Sequence, residues 1–152
     1  MFVRWIFAAL HLLALGIGLA AVWSRGQALK GNLDNDGFQR VFLADTFWGV
    51  AAGLWIITGL IRAFAGIEKG SDYYLDSSMF QIKMGLLVLI LILELWPMIT
   101  LIRWRITLRR GQRPDTNAAS AMARISQLQV VVVILMVFAA TAMARGIGAD
   151  LW

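Results

Sequence analysis

Residues 79–98 read MFQIKMGLLVLILILELWPM. From Met84 to Leu93 the stretch is wholly apolar, and its length is close to the ~20 residues that a helix needs to cross a ~30 Å hydrocarbon layer. A run of this length points to a membrane span, because a buried helix of a small soluble domain has no use for it. It also raises a problem: the same stretch carries Lys83 and Glu94. An ionised side chain in hydrocarbon costs several kcal/mol unless it is partnered or close to an edge.

The rest of the chain supports the membrane reading. It has 152 residues, of which 60% are hydrophobic and 15% charged, and a soluble domain of that size cannot remove so much apolar surface from water. The net charge of +5 would suit nucleic acid if the basic residues lined a soluble face. They sit instead beside apolar runs, as topology signals do, so nucleic-acid binding is set aside. With no cysteine, disulfides, thiolate metal sites, iron–sulfur clusters and cysteine nucleophiles are all excluded. With His11 as the single histidine, a zinc HExxH motif and a bis-histidine haem within one chain are excluded too.

Four runs qualify as spans, at about 5–23, 42–65, 79–102 and 125–144. The expected fold is an all-α integral membrane four-helix bundle forming a single domain over 1–152. GNLDNDG and GQRPDTN between the runs carry turn chemistry, and GIEKGSDYYLDSS makes a longer connector. The basic MFVR start and the GLA after the first run resemble a signal peptide, but the run is expected to be retained as a span. The first and third connectors hold Arg25, Lys30, Arg40, Arg103, Arg105, Arg109, Arg110, Arg113 and Arg124. The other side holds Arg4, Arg62, Lys69 and Arg145. This asymmetry places both termini outside, in the periplasm if the source is a Gram-negative bacterium, with the chain in the bacterial inner membrane.

Sequence position then converts to depth. His11 and Lys83 fall roughly 6 to 9 Å below the outer edge at ~1.5 Å per residue, and Arg62 and Arg145 close spans two and four on that side. An outer cluster of His11, Arg62, Lys83 and Arg145 is therefore expected. Asp45 and Glu94 form a separate inner polar patch, with Glu94 too deep to pair with Lys83. On span two, Asp45, Trp48, Ala52, Trp55, Gly59 and Arg62 recur on one stripe, bringing two indoles and a guanidinium together. The GxxxG of Gly49 and Gly53, and Ala14, Gly16, Gly18 and Ala20 on span one, would let neighbouring backbones approach. Each polar residue also has a plainer explanation: tryptophans pack or anchor, Lys83 and the terminal arginines snorkel, and a lone histidine packs.

The pattern ALHLLALGIGLA, LADTFWGVAAGLWIITGLIRAF, EKGSDYYL and FQIKMGL resembles DUF2214, a bacterial family of four-span membrane proteins without an established activity. The likeness spans nearly the whole chain and implies fold and location. The arrangement is also similar to the HemJ-type protoporphyrinogen IX oxidases, which have a span-one histidine and a span-three lysine. Those match His11 in AALHLL and Lys83 in QIKMG, while Gln81 stands where a second histidine often occurs. This resemblance implies haem b on His11, with Lys83 as a catalytic or propionate-contacting residue.

Together these readings give a leading expectation and two competitors. The first is a tetrapyrrole (haem b) or similar redox-ligand site in the outer half, taking a planar anionic ligand such as a porphyrin, or a quinone. His11 would be the metal ligand, with Met79, Met84 or a group from another chain opposite it. Arg62, Lys83, Arg145 and Trp55 would be cofactor contacts. Lys83 would serve as base in a haem-dependent oxidoreductase. The second is a non-enzymatic protein acting through helix assembly with itself, as a homo-oligomer, or with partners. Proton-coupled transport through Asp45 and Glu94 is a third, disfavoured by four spans without inverted repeats.

Overall fold

A computed structural model describes residues 2–64 and 78–147. The connector bearing Lys69 and EKGSDYYL, and Ala65 at the end of the second expected span, lie outside the described residues. The described chain forms four helices: α1 (Phe2–Ala28), α2 (Asn35–Phe64), α3 (Ser78–Arg109) and α4 (Ala119–Ala144). All four are long and apolar enough to cross a membrane.

The helices continue past the apolar spans at one end of the bundle. α1 ends at Ala28 rather than at 23, α2 starts at Asn35 rather than at 42, α3 ends at Arg109 rather than at 102, and α4 starts at Ala119 rather than at 125. Hydropathy marks where hydrocarbon ends; a backbone helix ends only where its terminal groups find other partners. α2 starts where Asp34 caps it, its side-chain oxygen accepting from the Gly37 N–H at 2.8 Å. Gly37 has no room for a side chain, because a Cβ there would run into the Asn32 carbonyl. α3 stops at Gly111, whose φ of 73° is left-handed. The Gln112 N–H bonds the Thr107 carbonyl and the Gly111 N–H the Leu108 carbonyl, forming a Schellman motif. The expected turns are thus present, several residues beyond the apolar edges.

Neighbouring helices run antiparallel, since His11 meets Thr58 while Arg25 meets Asp45. Extensive pairing joins α1 to α2, α3 to α4 and α1 to α4. The core has a membrane-level part and an end cap. The first includes Ala14, Val22, Trp48, Trp55, Ile90, Val132 and Met136. The second packs Leu29, Phe38, Val41, Leu101, Trp104 and Met122 where the helices overshoot. Large apolar side chains cover the outside, among them Leu13, Phe47, Leu54, Ile92 and Phe138, as expected of a surface solvated by lipid rather than water.

Half of the small residues expected on α1 pack closely, and the GxxxG of α2 does not. Ala14 and Gly18 are buried, and a Cβ on Gly18 would stand 3.4 Å from Ala51 and 3.5 Å from the Trp48 ring. Gly16 and Ala20 face outward. Gly49 and Gly53 have no atoms within 4 Å of where a Cβ would lie, so within the described chain this GxxxG brings no backbone close. Close glycine contacts between helices are instead at Gly59, against the His11 ring, and at Gly26, where a Cβ would be 3.2 Å from that of Ser126.

Candidate functional site

The strongest polar feature is a clamp around Arg25. Expected to be a connector charge, Arg25 instead lies in the last turn of α1 and is 0% exposed. Its Nε donates to Ser126 Oγ at 3.1 Å. Nη1 donates to Asp45 Oδ1 at 2.9 Å and Glu94 Oε1 at 2.7 Å, and Nη2 to Glu94 Oε2 and Gln129 Oε1, both at 2.8 Å. A guanidinium has five N–H donors, and all five are used. The fork on Glu94 is bidentate, the strongest geometry for this pair.

Every helix contributes to the clamp: Arg25 from α1, Asp45 and Trp48 from α2, Glu94 from α3, Ser126 and Gln129 from α4. Glu94 Oε2 also accepts from Trp48 Nε1 at 3.0 Å and Gln129 Nε2 at 2.7 Å. Gln129 therefore bridges the ion pair, its amide orientation fixed by accepting from Arg25 and donating to Glu94. Asp45 Oδ2 accepts from Arg105 Nη2 at 2.9 Å. The Arg105 guanidinium lies 4.9 Å from the centre of the Phe42 ring and also donates to the Phe42 carbonyl and Thr46. Two guanidinium groups thus face two carboxylates, and the local charge balances. Such a network stabilises a charge that apolar surroundings would otherwise reject.

Asp45 and Glu94 meet at one height through Arg25, and their expected separation from positive charge is overturned. A cation at the same height holds both acids together. Hydropathy ended α1 too early to place Arg25 inside the bundle. A signal was nevertheless available: Arg25 continues the buried stripe of His11, Ala14, Gly18, Ala21 and Val22, and two acids on different spans lacked a counter-charge.

The second polar site is the seat of His11. Its ring is buried, stacked on Trp55 at 5.6 Å with a 27° interplanar angle, and its Nδ1 lies 2.9 Å from Thr58 Oγ1. Thr58 itself donates back to the Leu54 or Trp55 carbonyl of its own helix. Its hydroxyl proton being so used, Thr58 accepts from the imidazole, which puts the proton on Nδ1. Gly59 supplies clearance, since a Cβ there would approach His11 Cε1 to 3.1 Å. One turn away, Ala14, Gly18, Trp48, Ala51 and Trp55 line a cavity of about 10 Å³, enough for about one water.

The other expected site residues share the His11 end of the bundle. Arg62 is half-buried in the last turn of α2, Lys83 is half-buried in the second turn of α3, and Arg145 is exposed at the C-cap of α4. Met84 packs with Phe80 and Met143. Trp55 meets His11 directly, whereas Trp48, on the same stripe, serves the Arg25 clamp. Among the described residues no three of His, Cys, Asp and Glu gather as metal ligands.

No curated protein and no solved structure matches the chain. The family model described as "Predicted membrane protein (DUF2214)" matches residues 3–148, and the chain belongs to that family.

Proposed function

We propose that this protein is a non-enzymatic integral membrane protein that acts through helix–helix assembly, its own bundle locked by the Arg25 clamp. The observation that carries this reading is the saturation of the Arg25 guanidinium. Every donor is spent on another helix, so the group has none left for a substrate carboxylate or phosphate. Buried ionic groups of this kind fix which helix faces meet, and here they set the register of all four. With the bundle closed on itself, the face of α2 around Gly49 and Gly53 stands open to a second copy.

The remaining Lys and Arg asymmetry supports a bacterial inner-membrane location with both termini outside. Self-association is tested by single-molecule photobleaching in nanodiscs. The reading expects wild type to bleach in two or more steps and Gly49→Ile to shift towards one. A strictly monomeric wild type would overturn the assembly.

One observation favours a second reading, a haem b or other tetrapyrrole site on His11. An imidazole whose Nδ1 is tied to a neighbour has Nε2 set up as the ligating atom, as metal-bound histidines do. Lys83, Arg62 and Arg145 would then meet carboxylates of the porphyrin, and Lys83 would be the base of an oxidoreductase. The cavity of about 10 Å³ beside Trp55 is not lined by His11, so it is no seat for the macrocycle. A Soret band in the purified protein that disappears in His11→Ala would establish this second reading; its absence after haem addition would dismiss it.

A further inference from the structure

We infer that the overshooting end of the bundle is a binding surface for anionic phospholipid headgroups. Three arginines stand at the same level on three helices. Arg40 precedes the apolar span of α2 by two residues, Arg103 follows that of α3 by one, and Arg124 precedes that of α4 by one. All three are exposed. On α1, Trp23 is 52% exposed and suited to the membrane interface.

The extra helical length, five to seven residues per helix, corresponds to roughly 8 to 10 Å. This spans the headgroup layer, which is roughly 5 to 8 Å thick on each side. Arg109, Arg110 and Arg113 are exposed at its far edge.

None of these arginines is spent inside the protein: the ion pairs among the described residues use Arg25 and Arg105. Asp34, Asp36 and Asp115 share this end of the chain, and among the described residues none of them forms an ion pair with these arginines. A guanidinium matches a phosphate in two-point geometry. The helical shafts hold Arg40, Arg103 and Arg124 at phosphate height, so the ligand is a lipid lying alongside the bundle. This inference does not depend on the self-assembly proposed above.

The test uses purified full-length protein and native mass spectrometry with phosphatidylglycerol or phosphatidylcholine. Wild type is expected to retain phosphatidylglycerol preferentially, and to lose it as salt rises. Removing positive charge in Arg40→Gln, Arg103→Gln and Arg124→Gln should weaken retention about fivefold for each arginine. Equal retention of the two lipids by wild type would overturn the inference, as would salt-independent retention. If the triple variant does not fold, the single variants and the wild-type salt series decide. Displacement of the lipid by equimolar glycerol phosphate would reveal a site for free phosphate, and displacement by a short RNA a nucleic-acid surface; either result would overturn it.

Discussion

Replacing Arg25 by methionine removes the cation from the clamp while keeping a long apolar side chain, so packing changes little and the electrostatic effect dominates. Breaking a buried ion pair by deleting one partner costs about 3 to 5 kcal/mol. Here the stranded acids retain some support. Glu94 keeps Trp48 and Gln129, and Asp45 keeps Arg105. Ser126 Oγ and Gln129 Oε1, however, lose the donor that satisfied them, at about 1 kcal/mol or more each. A loss of about 3 kcal/mol, the lower end of that range, is expected.

Reversible unfolding in mixed micelles, titrated with SDS and followed by tryptophan fluorescence, measures the difference. Arg25→Met with Glu94→Met removes both charges and should be more stable than Arg25→Met alone, because the worst stranded charge is gone. A single variant within about 0.5 kcal/mol of wild type, the range of ordinary surface changes, would refute the reasoning.

Trp48→Phe keeps the ring in the core but withdraws one donor from Glu94, and about 1 kcal/mol should be lost in the same titration. Thr58→Val keeps the shape beside His11 without its acceptor, so it should cost about 1 kcal/mol and change the imidazole proton pattern in nitrogen-resolved NMR. Gly26→Val forces α1 away from Ser126 on α4, with about 1 to 3 kcal/mol lost to overpacking. Gly49→Ala meets nothing inside the chain, so the unfolding midpoint should hold or rise while self-association in nanodiscs falls.

Four spans and their turns were legible because hydrocarbon imposes a length and composition that few soluble helices share. The common height of Asp45 and Glu94 was legible too, since a rigid rise per residue turns sequence number into relative depth. Arg25 was hidden by the same hydropathy that revealed the spans. A cation after Trp23 reads as the end of a membrane segment, yet the helix continues to Ala28 and carries Arg25 inward. Ser126 and Gln129 escaped notice because polar uncharged residues are ordinary at a span's edge; their three-residue spacing on one face of α4 was the available clue. His11 was singled out as a lone imidazole, but its company of Thr58 and Gly59 required the α1–α2 register, which the first connector sets through Asp34 and Gly37.

The state of the Arg25 guanidinium itself is the most direct measure of the clamp. In nitrogen-resolved NMR of the reconstituted protein, the Arg25 side chain should give separate, slowly exchanging Nε–H and Nη–H signals, each N–H held by its own acceptor. A single averaged signal exchanging with water as fast as those of Arg109 and Arg110 would contradict the clamp.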